Sequence, residues 1–94
     1  PFGPDNQKPV FCSLGVKDYG TSKLVGKELE HLKLELIDGN SSTPMHAIAF
    51  GMHRHNDHIK GMKPFNICYT VEENTYNGNT SLQLMVKDIK ENDI

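Results

Sequence analysis

The stretch "HLKLELID", His31–Asp38, decides the fold class. Leu32, Leu34 and Leu36 alternate with His31, Lys33 and Glu35, a period of two. On a strand that period puts the three leucines on one face and the polar partners on the other. On a helix the same leucines would scatter around the axis. A half-buried strand is therefore the reading, and its neighbours follow the same rule. Asp38, Gly39 and Asn40 in "DGNSSTP" supply turn chemistry. "MHAIAFG", Met45–Gly51, sets Ile48 and Phe50 on one side and Ala47 and Ala49 on the other. "FNICYTVEE", Phe65–Glu73, alternates Phe65, Ile67, Tyr69 and Val71 against Asn66, Cys68, Thr70 and Glu72. Asn77-Gly78 marks a hairpin turn. Beyond it, "SLQLMVKDI" points Leu82, Leu84 and Val86 inward and Ser81, Gln83, Met85 and Lys87 outward.

Upstream, "VFCSLGVKDYGTSKLVGK", Val10–Lys27, reads as one long strand bent or bulged at Gly15 and Gly20. "PFGPDNQKP" has three prolines, a glycine and no apolar period, so residues 1–9 read as an irregular lead-in and 10–94 as one domain. Five strands result, with "MHRHNDHIKGMK" crossing between the third and fourth as a short helix. The fold class is all-β, and the order fits a five-stranded OB-fold Greek-key barrel with a helix between strands three and four. A small sandwich or an SH3-like barrel shares the strand count.

Composition narrows function. Ten Lys and Arg against twelve Asp and Glu leave a net charge of −2 over 94 residues, which is not the overall footprint of a basic DNA-binding domain. Cys12 and Cys68 belong to no C-x-x-C pair, which removes a zinc ribbon and leaves two reduced, half-buried thiols of a cytoplasmic protein as the expectation. No apolar run is long enough to span a membrane. The start at Pro1 suggests a piece of a longer protein. No Ser-His-Asp arrangement or glycine-rich phosphate loop suggests a free-standing enzyme, so no catalytic residue is expected.

"GMHRHNDHIKG", Gly51–Gly61, invites a metal reading, with three histidines in six residues. A metal site needs three or four converging ligands. On a helix His55 and His58 share a face while His53 and Asp57 leave it, so the segment reads as a solvated polar crossing without a metal.

Four stretches taken together, "PFGPDNQKPVF", "VGKELEHLKLEL", "AIAFG" and "NGNTSLQLMVKDIK", resemble the C-terminal OB-fold region of the RecJ family. RecJ enzymes are bacterial exonucleases that degrade single-stranded DNA from the 5′ end. The resemblance runs nearly end to end, in order and at matching separations. It departs at Asp5, where the family usually has a second glycine, and Tyr76 stands where the usual aromatic is often tryptophan, which keeps a stacking or packing role there. The resemblance implies a part in DNA repair and recombination within a DHH-family phosphoesterase. The manganese or magnesium of such enzymes is held by N-terminal domains absent from these residues, so no cofactor is expected in this chain.

An OB-fold binds single strands across its second and third strands and the adjoining loops, using cations for phosphates and flat groups for bases. That points to Lys23, Lys27, His31 and Lys33, with Tyr76 and Asn77 in the last hairpin and Gln83 as an outward amide. Glu28, Glu30 and Glu35 interleave with the lysines, so affinity should be low and salt-dependent. The plainer reading makes each lysine a solvated charge and Tyr76 a hairpin packing residue. The expected partners are single-stranded DNA and the catalytic domains of the parent chain. A competing role is a structural module that packs on those domains or docks another repair protein.

Overall fold

The computed structural model describes residues 8–39 and 42–91. Its elements run β1 (Phe11–Asp18), β2 (Lys23–Val25), β3 (His31–Ile37), β4 (Met45–Ala49), a 3₁₀ turn (His53–His55), α1 (Asn56–Lys60), β5 (Phe65–Tyr76) and β6 (Asn79–Lys90). One six-stranded sheet has the order β1-β5-β6-β4-β3-β2, with β1 also pairing with β3. All pairings are antiparallel except β4 with β6. The all-β class and the helix after the third expected strand stand. Most of the lead-in, residues 1–7, lies outside the described residues.

The leucine ladder does what its period requires. Leu32, Leu34 and Leu36 are fully buried, together with Val16, Phe65 and Ile67. From α1, Ile59 joins the same cluster. On β4 the side facing this core is Ala47 and Ala49, and Phe50 just beyond the strand is exposed. Ala47 lies opposite both Leu34 and Leu84, and Ala49 opposite Leu32, so the leucines fill the space and leave room for only a methyl group.

The expected single first strand is two strands, β1 and β2, so the sheet has six strands rather than five. Asp18 makes the break. Its side chain is fully buried, and one carboxylate oxygen accepts N–H bonds from Gly20 at 3.0 Å and Ser22 at 3.1 Å. The other accepts from Lys60 Nζ at 3.2 Å. An aspartate satisfying backbone donors just ahead of it is a turn-forming device, and Gly20 supplies the positive φ of 115°. The Lys60 amine also donates to the Ser22 carbonyl at 2.7 Å, so α1 is fastened to the same turn. The turn lets Lys17 and Asp18 pair with Ile37 and Leu36 of β3.

Two further departures have local causes. Leu82 is exposed, because β5 and β6, of 12 residues each, outrun their neighbours and project as a ribbon. Thr70 is buried although it alternates with the apolar set, and it stands opposite the half-buried Met85 of β6. The β5–β6 register also slips. Cys68 faces Asp88 while Tyr69 faces Val86, leaving Lys87 as an extra residue on β6. That bulge turns Ile89, rather than an even-spaced position, into the core.

Burial pushes the Asp18 carboxyl up, but the Ser22 hydroxyl, the Gly20 and Ser22 N–H groups and Lys60 outweigh it and hold the pKa below the ordinary 3.8. A carboxyl lowered on folding stabilises at pH values above its unfolded value. That contribution starts to be lost below pH 3.8 and is gone below the lowered native value. Asp18→Ala should cost about 3 kcal/mol, since it strands buried donors. Urea midpoints measured against pH should show Asp18→Asn losing this acid-side dependence.

Candidate nucleic-acid interface

Three strands present one outward face. On β3 it carries His31, Lys33 and Glu35, the residues left over when the leucines turn inward. Lys33 lies directly opposite Lys23 of β2 and, on its other side, opposite Ile48 of β4. Ile48 in turn faces Met85 of β6. One rung therefore runs from two ammonium groups to two half-buried apolar side chains. Both lysines are exposed, and neither makes a salt bridge among the described residues. Like charges directly opposite each other on a sheet cost stability. An anion held between the lysines would offset that repulsion.

The adjoining rung is aromatic. The His31 ring meets Phe50 edge-on, with centroids 5.0 Å apart and planes at 79°. The Gly51 N–H donates to His31 Nδ1 at 2.8 Å, which makes Nδ1 an acceptor and fixes the ring's orientation. Phe50 is 55% exposed, a flat apolar surface braced on one edge. Phe50 is absent from the residues the sequence nominates. The alternation of "MHAIAFG" shows that it shares a side with Ile48 but not which side faces out.

Acidic groups on this face are partly occupied. Glu35 is 3.2 Å from His46 Nδ1 and accepts a bond from the Thr21 hydroxyl. Glu30 accepts the Glu28 N–H at 3.0 Å and lies 3.6 Å from His31 Nε2. Backbone N–H groups of Glu30 itself and of Glu28 hold its carboxyl below the usual range, so it stays charged beside the His31 end. Lys27 is exposed in the turn between β2 and β3, at the rim of this end.

The remaining expected residues do not join the cluster. Gln83 immediately precedes Leu84, the partner of Ala47, and so borders the face. Its side-chain oxygen is engaged by Asn74 Nδ2 at 3.0 Å. Tyr76, 78% exposed, and Asn77 occupy the hairpin tip, about 13 Å farther along the ribbon at strand rise. Positive φ at Asn77 and Gly78 and the Tyr76–Asn79 pairing make this a tight two-residue turn. Lys23, His31 and Lys33 are thus brought together, Lys27 and Gln83 sit at the margins, and Tyr76 and Asn77 are remote.

The histidine segment differs from a solvated face. His55 is buried, with Nδ1 2.6 Å from a Glu91 carboxylate oxygen, and its buried Nε2 has no hydrogen-bond partner among the described residues. His58 bonds the Pro64 carbonyl at 3.0 Å and lies edge-on to Phe65. The two do share a side, as helical spacing requires, but it faces the ends of β5 and β6. Among the described residues no three His, Cys, Asp or Glu side chains converge to hold a metal ion. Nor is any described helix long and apolar enough to cross a membrane.

The chain belongs to the RecJ OB domain family, whose model matches residues 1–88. No curated protein matches it significantly. The Lys23–Lys33 rung gives a ligand-free check. A double-mutant cycle of Lys23→Gln and Lys33→Gln should show an unfavourable coupling of about 0.3 kcal/mol at low salt, vanishing at high salt.

Proposed function

We propose that this chain is the single-stranded nucleic-acid-binding OB domain of a RecJ-like exonuclease acting in DNA repair and recombination, itself non-catalytic. The observation that carries this reading is the pair of cross-strand lysines, without a salt bridge among the described residues, beside the exposed Phe50 ring. Single-strand binders combine a cationic track for the backbone with aromatic platforms for the bases, and here the two lie on neighbouring rungs. Lys23 and Lys33, with Lys27 at the rim, take phosphates. Phe50, held by His31, stacks a base. Ile48 and Met85 supply the apolar floor between them.

In this reading the β1–β3 rungs close a Greek-key barrel whose first strand is broken at Asp18. Hydrolysis, with its manganese or magnesium, belongs to catalytic domains of a longer cytoplasmic chain. The barrel's part is to hold the single strand and guide it toward them. Glu30 and Glu35 temper the face, so grip is weak and the strand can move along it.

A second role has its own observation. Toward the projecting ribbon, the inner side of the sheet emerges from the core as an apolar patch of Phe11, Tyr69, Val71 and Leu82. It supports a packing surface for the catalytic domains or a repair partner, and it lies apart from the lysine rung.

Fluorescence anisotropy with a labelled oligo-dT tests the reading. The chain should bind at low salt. Phe50→Ala should weaken binding about tenfold, as expected for one lost base stack. The Lys23→Gln, Lys33→Gln pair should reduce the log–log salt slope by about 1.4. Equal affinity in all three proteins, or no binding at low salt, would overturn it, and the latter would leave the packing role.

A further inference from the structure

Cys12 and Cys68 stand 56 positions apart in sequence and meet on one rung of the β1–β5 pair. Their sulfurs are 2.6 Å apart. Both are free thiols, Cys12 exposed and Cys68 half-buried. Residues directly opposite on antiparallel strands have Cα atoms about 4.5–5.5 Å apart, inside the window a disulfide requires. A bond between them therefore needs no backbone movement. We propose that Cys12 and Cys68 are a reversible redox pair that closes to an intrachain disulfide and locks the first half of β1 onto β5.

What surrounds the pair gives the lock something to do. Only three rungs, Phe11–Tyr69, Cys12–Cys68 and Ser13–Ile67, hold this half of β1 before the register shifts between Ser13 and Val16. Gly15, with φ of 71°, lies in that irregularity, and its N–H bonds the Asn66 side chain instead of a ladder partner. Outside the ladder the half-strand is held by the Ser13–Tyr69 hydroxyl contact at 2.9 Å and the Lys8–Glu72 ion pair at 2.6 Å, both near solvent. The cysteines occupy the middle rung. A covalent bond there would fix a segment that is otherwise free to fray independently of the core.

The chemistry balances with a low-molecular-weight disulfide such as oxidised glutathione as oxidant. The exposed Cys12 thiolate attacks one glutathione sulfur, forming a mixed disulfide and releasing one glutathione thiolate. The Cys68 thiolate then attacks Cys12 Sγ and releases the second. Two protein thiols are oxidised to one disulfide and one glutathione disulfide is reduced to two thiols. The order of attack follows exposure. The Cys12 thiol within hydrogen-bond reach, with lesser effects of desolvation and Asp88, pushes the Cys68 thiol up. The pair lies on β1 and β5, with β6 between them and β4, so the inference does not depend on nucleic-acid binding.

The test uses the full chain, equilibrated in glutathione buffers of graded ratio, trapped with iodoacetamide and weighed intact. Oxidation should remove about 2 Da from the monomer and leave no alkylatable thiol, reversibly with reduced glutathione. Closing so long a loop should raise the Tm by roughly 10 °C or more. Amides of residues 11–13 should exchange more slowly in the oxidised form. Cys12→Ser and Cys68→Ser should each show neither the mass loss nor the Tm rise. Two stable glutathione adducts per chain, disulfide-linked dimers, or full alkylation under oxidising buffer would each overturn the proposal. So would a disulfide that forms without slowing exchange at residues 11–13.

Discussion

A carboxylate sealed from solvent, Asp18, fastens the end of β1, the turn that follows it and α1 to one another. Its oxygens take the N–H groups of the turn that ends β1 and the amine of Lys60 from α1. Lys60 returns a bond to the Ser22 carbonyl, so turn and helix are held from both sides. Without that knot β1 would run straight on, as its apolar letters suggest. With it, β1 stops in time to pair with β5 along one stretch and with β3 along another. A buried charge is expensive unless fully bonded, and Asp18 is bonded on both oxygens. The cost therefore falls on any arrangement in which the chain does not turn here.

The outward face of β2, β3 and β4 follows from that arrangement. Once the Leu32, Leu34 and Leu36 ladder is committed to the core, His31, Lys33 and Glu35 have no other side to occupy. Register then places Lys23 beside Lys33, and the inward alanines of β4 leave the larger Ile48 and Phe50 for the outer side. The residues that the RecJ OB domain model matches, 1–88, take in both β3 and β4. Core packing and face chemistry are thus written in the same alternating residues, one parity for each.

How much of this the sequence discloses depends on the range of the interaction. The leucine ladder, the Asn77-Gly78 turn and the short helix rest on neighbours within a few residues, and all three are legible. The cause of the β1 break is not, because Asp18 in a strand-like run looks like an ordinary solvated acid until Lys60 is brought to it from 42 positions away. The β6 bulge at Lys87 depends on which β5 residue stands opposite, and no local period encodes that. Leu82 has the right alternation but lies where no strand packs beneath it. His55 carries the same lesson: its carboxylate partner is Glu91, 36 residues on. Of the residues nominated for binding, those on β2 and β3 cluster because strand parity controls them. Those on the hairpin scatter because ribbon length does, and Phe50 goes unnominated because parity groups residues without saying which group faces out.

The proposed nucleic-acid contact lies on the β2–β3–β4 face. Two-dimensional NMR of the labelled chain titrated with short oligo-dT reads this residue by residue. The account predicts that shifts concentrate at Lys23, His31, Lys33, Ile48 and the Phe50 ring, with Phe11, Tyr69 and Leu82 unmoved. Shifts confined to that apolar patch, or spread evenly over the surface, would contradict it.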